Sequence, residues 1–348
     1  MIRTRELAFG GVAIGLALVY LVAAGRVAPV LAPGASPTPT PTKPVSFVPI
    51  PTGPKVNGTI VFTLRGDIYV LAGGGYSPLT SEGRSHQPTL SADGTTVLFA
   101  RIESIDGKRV VDGQVVPAQL RFSNVVRKDA KGGAEAVVLN GLTKQPTGFH
   151  DVVWFDSPAL SPDGKRVAVV TDSGAGASDL ALFDASSGKE AARLSQGSNL
   201  ADPSWSPDGK TLAVTSYTLG SARILLVPAD GRAPTPLKVP GDAEAYRPSY
   251  SRDGAWITYT LRHDGRNDLH AVEIAGGKDV ALTSDGHSWN GVFSPDGKEL
   301  SFLREDGGVI DLYFMEVADA LKGGAPKAAV KLTHGEGIDG ASRPAWGP

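Results

Sequence analysis

The sequence predicts an all-β fold, a six-bladed β-propeller built from four-stranded blades. Three observations carry this. A Ser-x-Asp-Gly phrase recurs five times, beginning at Ser91, Ser161, Ser206, Ser251 and Ser294. Its aspartates (Asp93, Asp163, Asp208, Asp253, Asp296) are spaced 70, 45, 45 and 43 residues apart, and a period of about 40–50 residues is that of a propeller blade. Three residues before each aspartate stands Leu90, Leu160, Trp205, Tyr250 or Phe293, and an alternating apolar pair follows it, as in Val97/Phe99 and Leu212/Val214. That is strand periodicity on both sides of a tight turn.

Composition suits such a fold. The 348 residues include 43 Gly and 26 Pro, the residues of frequent turns. The 34 basic and 36 acidic residues nearly cancel, and no basic run marks a nucleic-acid surface, so no nucleic-acid partner is expected. The absence of cysteine excludes disulfides, a thiolate nucleophile, cysteine-based zinc sites and a lipid-bearing cysteine anchor.

Taken in order, residues 1–6 carry Arg3 and Arg5 and read as a cytoplasmic N-terminus. Residues 7–25 form an uncharged run of 19 residues, just enough to cross a bilayer core of about 20 helical residues. The positive charge before it orients the remainder outside the cytoplasm. Two readings stand: an uncleaved signal anchor, giving a single-pass membrane protein, or a signal peptide cut after Val22-Ala23-Ala24, giving a secreted one. Residues 26–54 include the Pro/Thr alternation Pro37–Pro44, a semi-rigid spacer. Residues 55–348 hold the repeats.

Within each repeat the turn chemistry is explicit. Pro presets φ at the first turn position, Asp bonds downstream backbone, and Gly takes positive φ. A second signature follows, as in Asp67-Ile68-Tyr69, Asp179-Leu180, Asp268-Leu269 and Asp311-Leu312-Tyr313, and opens the third strand. A short outer strand comes next, as at Pro78-Leu79-Thr80 and Lys331-Leu332-Thr333. The initial unit lacks an inner strand. The C-terminal Arg343-Pro344-Ala345-Trp346 matches Arg247-Pro248-Ser249-Tyr250, so N- and C-terminal strands are expected to close one blade together. The 70-residue spacing places an inserted β-hairpin at 104–122.

The Ser-Pro-Asp-Gly-Lys hairpin followed by Asp-(Ile/Leu)-Tyr resembles the TolB-type, WD40-like propeller repeat over Lys55–Pro348. The resemblance implies six blades and leaves function open: such propellers serve as periplasmic scaffolds, as gating domains of prolyl-oligopeptidase-like peptidases, and in sugar lyases. TolB itself has a small α/β domain where this sequence has an anchor and a stalk. No Gly-x-Ser-x-Gly elbow supports a peptidase.

Residues just before each inner strand should rim a central funnel. They are His86 and Gln87; His150, Asp151 and Trp154; Asp202; Glu244, Tyr246 and Arg247; His287, Trp289 and Asn290; and Arg343. No catalytic residue is assigned. Aromatic and arginine side chains of this kind anchor protein interfaces and stack on glycans. The expectation is a membrane-tethered, monomeric scaffold that binds an envelope protein or glycan and needs no cofactor. The alternative is a metal-dependent polysaccharide lyase or hydrolase holding one divalent ion through His86, His150 and His287, as the resemblance to propeller lyases suggests.

Overall fold

The computed structural model describes residues 48–49, 56–145, 150–172, 178–195, 199–217, 221–241 and 243–348. The expected anchor at 7–25 and most of the linker lie outside them. No helix among the described residues is long and apolar enough to cross a membrane.

Among the described residues, six antiparallel sheets of four or five strands follow one another along the chain, with one two-stranded ladder besides. Blade 2 comprises Ser85–Leu90, Thr96–Val111, Gln114–Asp129 and Ala136–Leu139. Blade 3 comprises Phe155–Leu160, Arg166–Asp172, Ser178–Asp184 and Glu190–Arg193. Blade 4 comprises Leu200–Trp205, Thr211–Ser216, Arg223–Pro228 and Thr235–Pro236. Blade 5 comprises Glu244–Tyr250, Trp256–His263, Arg266–Glu273 and Asp279–Ala281, and blade 6 Ser288–Phe293, Glu299–Asp306, Val309–Glu316 and Val330–Lys331. Blade 1 is assembled from both ends of the described chain. Thr59–Leu64, Asp67–Ala72 and Gly75–Pro78 lie outside an inner strand Ala345–Gly347, with Ile60 opposite Trp346. Val48–Pro49, within the expected linker, pairs with Tyr76 and Gly75 as a fifth strand at the outer edge.

The turn phrase is a hydrogen-bonded clasp in all five copies. In the blade 4 copy, Ser206 Oγ donates to Asp208 Oδ1 at 2.6 Å, and the same Oδ1 accepts the Lys210 amide at 3.0 Å. The Ser206 hydroxyl also accepts the Thr211 amide at 3.0 Å, and Gly209 turns the chain at φ 67°. The hydroxyl bond from Ser91, followed by bonds from the Thr95 amide and hydroxyl, holds the Asp93 carboxyl down at about 2.

The second signature is a clasp too. Asp311 Oδ1 accepts the Thr333 hydroxyl at 2.8 Å and the Gly335 amide at 2.6 Å, while Thr333 Oγ1 accepts the Leu312 amide at 2.9 Å. Asp67 with Thr80 and Gly83, and Asp268 with Thr283 and Gly286, repeat it. Each aspartate thus ties its third strand to the loop leading to the next blade. The leucines expected in the outer strands sit just past them; Leu79, Leu282 and Leu332 are buried and Leu194 and Leu237 half-buried.

The core lies between blades, as the burial of second strands on both faces requires. Six apolar clusters each join two neighbouring sheets, and one of them unites blades 6 and 1 through Leu303, Leu312, Ile60, Phe62 and Trp346. This pattern leaves no blade face open.

The up-and-down order gives the ring two ends. One carries the Ser-x-Asp-Gly turns (the turn end). The other carries the blade-to-blade loops and the hairpins between second and third strands (the loop end). The 104–122 insertion is an uninterrupted lengthening of the two middle strands of blade 2, paired in register from Thr96 with Asp129 to Val111 with Gln114. Each strand has 16 residues where those of blade 6 have 8. The arm therefore extends the loop end by about 25 Å at ~3.3 Å per residue. Asp112 and Gly113, both at positive φ, close it, and Gly107 leaves the space that Leu120 fills.

Trp346 is 9% exposed and donates its indole N–H to the Asn57 carbonyl at 2.7 Å. Its replacement by Ala should cost about 3–5 kcal/mol and lower the melting temperature by on the order of 10 °C. Removal of 343–348 should cost more. Thermal unfolding that is unchanged in the truncated protein would show that the ring does not depend on this strand.

Candidate functional site

Each inner strand of blades 2–6 bulges at the same place. The pairing register slips between His86 and Thr89, Asp156 and Ala159, Ala201 and Ser204, Tyr246 and Ser249, and Trp289 and Val292. A bulge breaks the ladder and re-aims a side chain. The residue that turns is left-handed in every case: Gln87 (φ 53°), Ser157 (48°), Asp202 (53°), Arg247 (56°) and Asn290 (62°). Each precedes its turn aspartate by six residues, and Pro or Gly follows it. Non-glycine residues in this region cost about 1–3 kcal/mol, so their surroundings must hold them there.

A polar network at the axis does so. Arg247, 2% exposed, donates Nη1 to Asn290 Oδ1 at 2.6 Å and to the Gly340 carbonyl at 3.1 Å, and Nη2 to the Ala341 carbonyl at 3.1 Å. Gln87 donates its backbone N–H to Ser342 Oγ at 2.9 Å and its side-chain amide to the Ala341 carbonyl at 3.2 Å. Arg343 leaves blade 1 and crosses the axis to the carbonyls of Pro248 and, at 3.0 Å, Pro203. Residues 340–343 are thus the hub that bonds to four other blades, 2, 4, 5 and 6.

Burial pushes the Arg247 guanidinium down to about 9, helped by the neighbouring charge of Arg343. Burial likewise lowers Arg343, against the attraction of Asp202. Asp202 accepts the Thr215 hydroxyl at 3.1 Å, yet burial drives its carboxyl up to about 6 against the opposing pull of Arg343. At Asp156 burial also acts upward but is outweighed by His86, whose Nε2 stands 3.4 Å away, and the carboxyl lies below its ordinary value.

Of the residues singled out from the sequence, Gln87, Asp202, Arg247, Asn290 and Arg343 meet in this ring. Asp202, Arg247 and Asn290 are buried members of it rather than rim surface, and Tyr246 beside them is buried as well. The remaining residues lie towards the loop end. Tyr246 donates to Asn267 Oδ1 at 2.8 Å, Trp289 donates its indole N–H to the Gly340 carbonyl at 2.9 Å, and Glu244 lies 3.8 Å from Arg262. His287 is exposed, and Trp154 is half-buried.

His150 and Asp151 are displaced from the ring. They belong to a separate two-stranded ladder in which His150–Val152 pairs with Leu142–Lys144. The extra length before blade 3 is thus divided between this ladder and the blade 2 arm, which the spacing of turn aspartates alone did not reveal. Ser157 holds the blade 3 position in the ring, and sequence reasoning missed it. The signal was available: it stands six residues before Asp163. His86, His150 and His287 come from blade 2, the extra ladder and the edge of blade 6. Among the described residues no three His, Asp or Glu side chains are placed to share an ion.

A cavity of about 390 Å³ occupies the axis on the turn side of the ring. Gln87, Ser157, Asp202 and Arg343 form its floor, Trp205, Tyr250, Phe293 and Trp346 contribute to its walls, and Ala92, Pro162, Pro207, Arg252 and Pro295 surround its mouth.

The raised pKa of Asp202 has a defined pH signature. The cost of ionising the buried acid is absent below its unfolded value near 4 and complete above about pH 6. Asp202→Asn keeps an acceptor for Thr215 and removes that cost. Its stability relative to wild type should therefore rise from pH 4 to pH 7, by up to about 3 kcal/mol. Urea unfolding at both pH values measures this, and a difference independent of pH would show that Asp202 ionises freely in the folded protein.

Residues 150–320 match the family described as the TolB beta propeller domain. TolB from Acinetobacter baumannii superposes with a TM-score of 0.62 at 19% identity, over 84% of this chain and 67% of that one. A putative TolB from Agrobacterium tumefaciens gives 0.57 at 19% identity, over 82% and 92%. A puromycin-hydrolyzing peptidase of Mycobacterium tuberculosis gives 0.53 at 17% identity, and this chain spans 45% of its length. Comparison with the curated proteins yields no match. Residues 150–320 thus match the TolB beta propeller domain family, and the described chain folds as a six-bladed propeller similar to those of the TolB structures.

Proposed function

We propose that this chain is an extracytoplasmic protein-binding scaffold. In this reading residues 7–25 tether it to the membrane, residues 26–54 space it from the bilayer, and the strand Ala345–Gly347 keeps the ring shut. The partner is an envelope protein that rests on the loop end. The observation that carries the reading is the blade 2 arm, which rises from the same end as Trp154, Glu244, His287 and Trp289. The axial ring fills the centre beneath them with bonded side chains, so this end offers a broad polar and aromatic platform with a projecting edge. Such a surface suits a macromolecule better than a small substrate. The likeness to TolB propellers supports both the scaffold role and a place outside the cytoplasm.

Photo-crosslinking in cells tests the binding face. A photoreactive residue at Asp151, His287 or Val115, all exposed, should yield one discrete adduct with an envelope protein. The same residue at Asp208 or Lys210 on the turn end should not. Replacing 104–121 by Asn-Gly, so that Glu103 and Phe122 flank a two-residue turn, should abolish the adduct without unfolding the blade. Adducts formed only from the turn end would overturn the assignment. The topology has its own check: alkaline phosphatase fused after Pro348 should be active and β-galactosidase inactive, and the reverse pattern would place the propeller in the cytoplasm.

A further inference from the structure

The axial cavity lies at the opposite end from the proposed docking face, and its charge is unusual. Three charged side chains line it: Asp202, Arg252 and Arg343. The rest of its lining is uncharged: Gln87, Thr89, serines, prolines and apolar or aromatic side chains. It therefore carries one more cation than anion within a concave site, where the unmatched positive charge favours an incoming anion.

Arg252 is the informative residue. In the five turn copies the position after the serine is Ala92, Pro162, Pro207, Arg252 and Pro295, and all five surround the cavity mouth. The turn does not need arginine. Ser251 donates to Asp253 Oδ1 at 2.6 Å, Asp253 accepts the Ala255 amide at 3.0 Å, and Gly254 has φ 73°, as in the proline copies. The Arg252 side chain crosses the mouth from blade 5 to the carbonyl of Ala92 in blade 2, the blade opposite. Arg343 crosses the floor from blade 1 to Pro203 in blade 4, also opposite. Two guanidinium groups thus bracket the axial space. The inner one is fixed by carbonyls of two blades. The outer one is exposed and held at the far side by one backbone carbonyl, a bond that an anionic ligand can replace with a charge-assisted one.

We infer that the axial cavity binds a small organic carboxylate with an apolar body, and that Arg252 is the latch that closes over it. The volume is that of a small-molecule site. The aromatic and proline walls take the apolar body, and the latch position requires a ligand that fits wholly beneath it. This inference is independent of the loop-end reading, since it uses the other end of the molecule and a different class of ligand.

The test uses the full-length protein in detergent, with phenylacetate and its neutral isostere phenylacetamide as probes, followed by NMR of the indole N–H groups. Phenylacetate should bind saturably and shift the signals of Trp205 and Trp346, which line the cavity. Phenylacetamide should bind about tenfold more weakly, the equivalent of one charge-assisted hydrogen bond. Arg252→Pro supplies the residue of three of the other four turns, and Arg252→Gln keeps the length without the charge. Both should weaken phenylacetate by about tenfold, leave phenylacetamide unchanged and keep the wild-type melting temperature. Equal affinity for acid and amide would overturn the inference. So would unchanged phenylacetate affinity in both variants, or no saturable binding of the acid up to about 20 mM, a limit far above the weakest useful small-molecule affinities.

Discussion

Six sheets converging on one axis leave room there for about one side chain from each. That crowding governs the rest of the molecule. The inner strand of each of blades 2–6 reaches the axis, bulges, and turns a left-handed residue inward. The residues that result, Gln87, Ser157, Asp202, Arg247 and Asn290, differ in kind: Gln87, Arg247 and Asn290 bond to the segment 340–343, whereas Ser157 and Asp202 bond to neighbours in their own blades. Equivalent blades would supply identical groups, and six identical donors or six identical charges cannot satisfy one another. The asymmetry of the axis is therefore required by the symmetry of the blades. The segment that completes it also leads into the inner strand of blade 1.

The aspartates illustrate how a repeat can look chemical and be structural. Each of blades 2–6 spends one on the turn between its inner and second strands. Three units spend another, Asp67, Asp268 or Asp311, on tying the third strand to the following loop through a threonine. In each of these carboxylates Oδ1 is engaged by hydroxyl and amide donors of its own turn or clasp, which accounts for the residue structurally. In the axial ring Asp202 stands apart, because burial rather than donation sets its proton affinity.

Much of the architecture was legible because its determinants are local. The turn needs Ser, Asp and Gly at fixed offsets, and those offsets gave blade register and the place of the long blade 2 hairpin. The Arg-Pro pair at 343 placed the C-terminal segment beside the other inner strands. The burial of Arg247 was not legible. An arginine before a proline at the start of a strand reads as surface, and only the bulge, whose left-handed φ no residue type here requires, turns it inward. Ser157 was missed for the same reason, since nothing about serine marks an axial position. The ladder carrying His150 and Asp151 was missed because a surplus of length does not say how many insertions share it. The cavity was missed because attention to polar residues pointed to the loop end, whereas the empty space lies behind the proline-lined turns.

These cases suggest how such a repeat is best read for function. A residue present in every copy is explained by the scaffold, whatever its chemistry, because the scaffold must be built in every copy. Arg252 breaks the pattern without altering the clasp around it, so the fold does not account for the choice. The blade 2 arm breaks it too, since a two-residue connection would close that hairpin as well. One departure places a cation over an enclosed axial space, and the other extends a ribbon beyond the platform at the far end. The two lie on opposite ends of a rigid ring whose centre is filled by bonded side chains. A ligand at one end therefore meets different chemistry from a partner at the other, and the ring of bonded side chains lies between them.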